Sequence, residues 1–154
     1  MATIHAFSAI KSFIESRWPD ATPTECPLAW DNDPFTQPQP RGPAQGLVPG
    51  QLAPNHWARI IIGGDLWDQE SIGAGDPTDE RWDETGELMV IVFAPTGTGS
   101  ATIRELLTAF AEMCRGQDTG IVEFRSIRFD PIGAKDDSGN WWGMTMTIDW
   151  TRRG

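Results

Sequence analysis

Apolar residues recur along this chain with two periods, and each marks a different kind of element. Over residues 3–18, Phe7, Ile10, Phe13, Ile14 and Trp18 fall three or four apart with Lys11, Glu15 and Arg17 between them, and Pro19 follows. This spacing predicts an amphipathic helix that lies on a core and closes at the proline. A second helical stripe runs through Ile103, Leu106, Leu107, Phe110, Met113 and Cys114, with Arg104, Glu105 and Glu112 outside it. Ser100 is placed to cap that helix and Gly116 to stop it. The other period is two. Trp142, Met144, Met146, Ile148 and Trp150 alternate with Thr145, Thr147 and Asp149, which predicts a half-buried strand. Over residues 121–129, Val122 and Phe124 share one parity while Ile127 and Phe129 share the other, so a bulge is expected near Arg125 and Ser126.

Three more segments complete the pattern. Residues 88–93 are apolar without interruption, which predicts a central strand buried on both faces. Ile60, Ile61 and Ile62 end at Gly63 and Gly64, consistent with a buried strand that bends or bulges at the glycines. Residues 26–30 form a short strand that Pro27 restricts to an edge. The resulting order is helix, short strand, strand, strand, helix, strand, strand. It predicts an α+β fold: a single domain over residues 1–154, with a mixed, mostly antiparallel sheet of four to five strands and two helices packed on one face.

Two stretches fit neither period and are read as long loops, residues 31–55 and 65–87. Residues 34–54 hold six of the 12 prolines and no acidic residue. Residues 65–87 carry nine acidic side chains against one basic, Arg81, and contain Trp67 and Trp82. This stretch supplies most of the net charge of −10. At a pI near 4.5 the protein is not built to grip nucleic-acid phosphates or anionic lipid by charge. No run approaches the roughly 20 apolar residues of a membrane span, and no export signal is expected. The two cysteines, Cys26 and Cys114, lack ligand spacing, so inert thiols in a reducing compartment are the expectation and a disulfide is the alternative.

The candidate chemistry is sparse. The run from residue 88 through Pro95, Gly97 and Gly99 into the second helix has the order strand, glycine turn, helix, which cradles phosphates in nucleotide enzymes. Such sites need a lysine and a magnesium-binding hydroxyl, or a third glycine; residues 88–114 contain no lysine, and Thr102 occupies the third glycine's place. The segment is therefore read as a tight connection. His5 and His56 stand alone, which argues against a triad or a zinc site. The acidic stretch, with Asp76, Asp79, Glu80, Asp83 and Glu84 between Trp67 and Trp82, admits sugar binding or cleavage as one reading and a solvated loop as the other. In the pair Trp141-Trp142, neighbouring strand residues point to opposite faces, so Trp141 lies off the apolar face. It marks either an interface or a site covered by a neighbouring loop.

Taken together, several features resemble the tail terminator proteins of long-tailed bacteriophages and related gene-transfer particles. They are the helix closing in Arg17-Trp18-Pro19 and the proline-rich stretch before His56-Trp57-Ala58-Arg59-Ile60. To these are added residues 86–95 running into Gly97-Thr98-Gly99 and the helix, and the C-terminal turn with its Trp141-Trp142 strand. The resemblance spans nearly the whole chain, although the long loops depart from the family's compact outline. It implies a structural virion protein without catalysis or cofactor. Such proteins form a homo-hexameric ring that caps the tail tube, ends its polymerisation and docks the head connector or stopper protein. DNA passes through the bore without specific binding, and no membrane is involved. The implied location is the head-proximal end of the tail, after assembly in the bacterial host cytoplasm. On this reading Trp67, Asp76, Asp79, Glu80, Trp82, Asp83, Glu84 and Trp141 are the candidate interface or bore residues. A tail completion or stopper subunit is the nearest alternative, and a carbohydrate-binding protein a more distant one.

Overall fold

Strand β3 (Trp82–Pro95) is hydrogen-bonded along both of its edges, and the other strands are arranged around it. In the computed structural model, which describes residues 1–41, 53–71, 73 and 75–154, β2 (Trp57–Gln69) runs antiparallel to β3 on one side and β6 (Trp141–Arg153) on the other. Strand β4 (Val122–Phe129) pairs with the far side of β6. The two-residue strand β1 (Leu28–Ala29) runs parallel to β2, and β5 (Ala134–Lys135) adds a short pairing to β6. The order is β1-β2-β3-β6-β4, a mostly antiparallel six-stranded sheet. Helices α1 (Ile4–Ala21) and α2 (Ala101–Cys114) share one core with alternate residues of the long strands, so the expected α+β class holds. Because β3 and β4 both run antiparallel to β6, they are parallel to each other, and α2 is the long crossover that such a pair requires.

The parity of β3 decides what is buried. Leu88, Val90, Val92 and Ala94 face the helices and are fully buried, together with Ala58, Ile60 and Ile62 of β2 and Met146, Ile148 and Trp150 of β6. Met89, Ile91 and Phe93 face the other way and are only half-buried. The uninterrupted apolar run thus predicted the central position correctly but overstated the burial, because the two helices cover one face of the sheet. Every residue of the α2 stripe is buried. Both expected bulges are present as register shifts, one between Gly64 and Leu66 and one between Phe124 and Ile127. Gly86 faces the first bulge; a Cβ there would collide with the Gly63 carbonyl and the Trp150 ring, so only glycine fits.

Three boundaries differ from expectation for physical reasons. Helix α1 runs through Pro19 to Ala21, because the buried Trp18 anchors the last turn through its indole N–H, which donates to the Cys26 carbonyl at 3.1 Å. Ser100 makes no side-chain cap bond; its backbone carbonyl accepts from Arg104 N at 3.0 Å and its hydroxyl from Arg104 Nε at 3.1 Å. The largest difference is at residues 65–87, which are not one loop. Strands β2 and β3 extend through them as a two-stranded ribbon, pairing Trp67 with Glu84, Asp68 with Asp83 and Gln69 with Trp82. Only residues 70–81 form the connection. The ribbon leaves no apolar alternation in the sequence because its far end projects past the helices, and four consecutive residues, 65–68, are exposed. The predicted 31–55 loop lies partly outside the described residues; at its end Asn55 reaches back to residues 39 and 41, donating to Gln39 O at 2.8 Å and accepting from Arg41 N at 3.0 Å.

Two leucines separate core from ribbon. Leu106 is fully buried, so Leu106→Ala is expected to lower the unfolding free energy by about 2–5 kcal/mol in urea titration. Leu66 is 57% exposed, and Leu66→Ala should stay within about 0.5 kcal/mol of the parent.

Candidate functional site

The candidate residues separate into three environments. Trp67 and Trp82 are the partly exposed tryptophans of the ribbon, with Asp76, Asp79 and Glu80 in the turn that joins its strands. Asp83 and Glu84 are its buried acids, Glu84 directly opposite Trp67, and Trp141 belongs to a separate aromatic cluster.

At the ribbon end, Trp67 and Trp82 meet edge to face, with ring centroids 6.5 Å apart at 74°. The indole N–H of Trp82 donates to the Pro77 carbonyl at 2.8 Å, and the Arg152 guanidinium lies 5.5 Å from the Trp67 ring centre. The connecting turn uses its own acids to hold its shape. Asp76 caps the short 3-10 turn Pro77–Asp79, accepting from Thr78 N at 3.0 Å and from the Thr78 hydroxyl at 2.9 Å. The Thr78 amide, then its hydroxyl, hold the Asp76 carboxyl below the usual range. Glu80 accepts from the Ser71 hydroxyl and from Gly73 N, both at 2.8 Å. Asp79 is exposed. An edge-to-face indole pair whose half-buried member is tied down by a carbonyl offers no broad flat platform for a sugar ring.

Glu84 and Asp83 correct the expectation of a uniformly solvated acidic loop. Glu84 is 2% exposed and therefore cannot line a bore or an outer surface. Its carboxylate accepts from the Thr3 amide at 2.7 Å, the Thr3 hydroxyl at 2.6 Å and Arg152 Nε at 3.0 Å. Thr3 is also the N-cap of α1, accepting from Ala6 N at 3.4 Å. One carboxylate therefore joins the start of the first helix to the centre and the last strand of the sheet, and its negative charge lies at the positive end of the helix dipole. The N-terminal amine adds a bond to the Gly64 carbonyl at 3.0 Å. Burial pushes the Glu84 carboxyl up, but the two bonds from Thr3 and the charged bond from Arg152 outweigh it and hold the group below the usual range. Asp83 is also buried and forms an ion pair with Arg81 Nε at 3.2 Å.

Trp141 is 1% exposed, so the covered alternative is the one realised. It packs edge to face on Trp57 at 6.1 Å, while Trp57 stacks on Phe93 at 4.4 Å and meets Phe35 at 5.4 Å. Phe35 comes from the described start of the proline-rich segment, whose residues 37–40 line one pocket with Trp57, Phe93 and Trp141. The sequence signal for this cluster was the parity of Trp141, opposite to Trp142; its partners were not visible from spacing.

The glycine turn behaves as a connection. Gly97 and Gly99 have φ of 88° and 83°, and the hydroxyls of Thr96 and Thr98 are spent on the carbonyls of Gly139 and Pro95. The structure does bring an exposed lysine, Lys135, to the same pocket, together with Trp142; sequence spacing had no means of showing this. Among the described residues, no group of three His, Cys, Asp or Glu side chains is placed to hold a metal ion. His56 is buried, and burial depresses its pKa, while His5 is exposed on α1. Cys26 and Cys114 are free, and burial pushes both thiols up to about 12.

No family model matches this chain, and no curated protein matches it. Among solved structures, one whose name carries no functional description is similar, with a TM-score of 0.61 at 21% identity, covering 94% of this chain and 94% of that one. At that identity the likeness speaks to the fold alone.

Removing the Glu84 carboxylate leaves the Arg152 charge buried without its partner, so Glu84→Ala should cost about 3–5 kcal/mol. The pH dependence has a definite sign. The folded pKa lies below the unfolded value of about 4.3, so this stabilisation is complete above that value and drains away as pH falls through the folded pKa. In urea titrations the stability gap between wild type and Glu84→Gln should be widest near neutrality and narrow as the solution is acidified below the unfolded value; a constant gap would count against the assignment.

Proposed function

We propose that this protein is a tail terminator: a structural virion subunit of a long-tailed bacteriophage or gene-transfer particle. On this reading it forms a hexameric ring that caps the tail tube, ends its polymerisation and receives the head connector or stopper. The segments that carry the resemblance are supported by their neighbourhood in the fold. Residues 86–95 form the central strand, the Trp141-Trp142 strand pairs directly with it, and the stretch from His56 leads into its other neighbour. The observation that carries the reading is the β2–β3 ribbon. It projects beyond the core with Leu66 and Trp67 exposed, and its charged side chains organise the arm itself. An arm of this kind is suited to contacts between subunits. A tail completion or stopper subunit remains the rival, separated by the position of the protein on imaged particles.

The acidic turn has a role in this reading. DNA carries one charge per about 1.7 Å of its axis, so exposed carboxylates on a bore wall repel it and let it slide, provided they lie within roughly 8 Å. Of the candidate carboxylates, Asp76 and Asp79 are the exposed ones.

Electron microscopy of the purified protein mixed with its tail-tube protein should show six-fold rings at tube ends. Free monomers alone in that mixture would overturn the proposal. Asp79→Asn combined with Asp76→Asn should leave rings intact and reduce DNA delivery, measured as transduced or infected cells per particle; undiminished delivery would move the turn to the outer wall.

A further inference from the structure

Among the described residues, the large exposed apolar side chains, apart from Ile4 at the start of α1, fall into two groups at opposite ends of the sheet. At the β2 end are Leu66 and Trp67, 57% and 56% exposed, with the exposed Met1 beside them, its amine bonded to the Gly64 carbonyl. At the β4 end are Ile121, Phe129 and Ile132, 52%, 55% and 80% exposed. Backbone pairing runs out at the same two places. β1 covers only Ala58 and Arg59 on the outer side of β2, and the Met1 amine takes Gly64 O, so residues 65–69 have no described strand on their outer side. On β4, the preceding turn covers the outer side of the first residues through Thr119 N to Val122 O and Phe124 N to Gln117 O. Residues 125–129 are left bare. An uncovered edge of this kind is a template for pairing with another chain.

The two bare segments also match in chemistry. Residues 65–69 read Asp-Leu-Trp-Asp-Gln, and residues 125–129 read Arg-Ser-Ile-Arg-Phe. Each has a pair of like charges three residues apart and large apolar side chains besides, and the two pairs are opposite in sign. The positive excess lies at the Arg125 end of the segment, where Arg125 and Arg153 share one carboxylate, Glu123, at 3.4 and 3.7 Å; Arg128 is already held by Asp149 at 2.7 Å and Glu87 at 3.0 Å. Near the aspartate segment the charge balance is negative, with Glu70 next in the chain.

We propose that residues 65–69 of one copy pair edge to edge with residues 125–129 of a second copy. The contact is head to tail: each copy offers one edge of each kind, so the pairing propagates around a ring or along a chain. The Asp65 and Asp68 edge meets the Arg125 end of β4; Trp67 meets Ile127 and Phe129 on the helix face, and Leu66 lies on the opposite face of the joined edges. The ring reading supplies only the number of copies; the contact itself rests on the two edges.

Two full-length variants test this, each altering exposed side chains at one edge: Leu66→Ser with Asp68→Lys, and Arg125→Glu with Phe129→Ser. Native mass spectrometry and analytical ultracentrifugation should find wild type self-associating and each variant alone monomeric, its association weakened roughly tenfold or more. Mixed in equal amounts, the variants should form a one-to-one heterodimer and nothing larger, because each retains the edge that the other lacks. That heterodimer also demonstrates that both variants fold. Variants that assemble as wild type does would overturn the edge contact while leaving a ring intact. Wild-type head-to-tail chains that never close, abolished by both variants, would uphold the contact and sink the hexameric ring. Wild type that stays monomeric at every concentration, with and without tail-tube protein, would overturn both.

Discussion

Both helices lie on one face of the sheet, and most of the molecule follows from this arrangement. It forces a two-residue alternation on β3, sending Leu88, Val90 and Val92 into a closed core and Met89, Ile91 and Phe93 towards a more open side. Burial on the helix face is nearly complete, so the apolar side chains there supply the main stabilisation. Among the described residues the opposite face carries no helix, and an aromatic cluster closes one end of it, where Phe35 packs on Trp57 beside Trp141. Further along, that face becomes charged, with Arg128 held between Asp149 at 2.7 Å and Glu87 at 3.0 Å.

A one-sided sheet also needs its helices held at the ends, and Glu84 does this for α1. Its carboxylate is satisfied by a helix cap and an arginine from the last strand, so three distant parts of the chain meet at one buried charge. The same residue had looked like one more member of a solvated acidic stretch. The acidity of residues 65–87 is therefore two things. Part of it is structural charge consumed by Thr3, Arg152, Ser71 and Thr78, and part is exposed charge that remains free to shape what approaches the ribbon.

The sheet does not close on itself, and its two ends are the least finished parts of the molecule. At each, a bulge precedes a stretch of strand whose outer edge has no described strand beside it, and large apolar side chains face solvent there. An isolated subunit gains nothing from such edges, which carry an aggregation hazard unless something covers them. A protein that works as one member of an assembly has a use for them, and this connects the fold to the proposed role in a tail.

The elements with a regular period were legible in the sequence because periodicity is a local property. The α2 stripe from Ile103 to Cys114, the alternation of β6 and the two bulges each depend on which face neighbouring residues share, and all appear where spacing placed them. The opaque parts depend on contacts between residues far apart in the chain. Glu84 and Arg152 are separated by 68 positions. Trp141 is buried by Trp57 and Phe35, and Lys135 reaches the glycine turn only because β5 pairs with β6. The ribbon at residues 65–69 and 82–87 left no alternating pattern, since a two-stranded arm beyond the core is held by backbone bonds that any side chains allow. The sequence by itself determined the elements and the face each buries, through apolar period. Only the tertiary structure decided which charges are structural, which tryptophans are covered and which strand edges stay open, because those outcomes are set by what the fold places next to each residue.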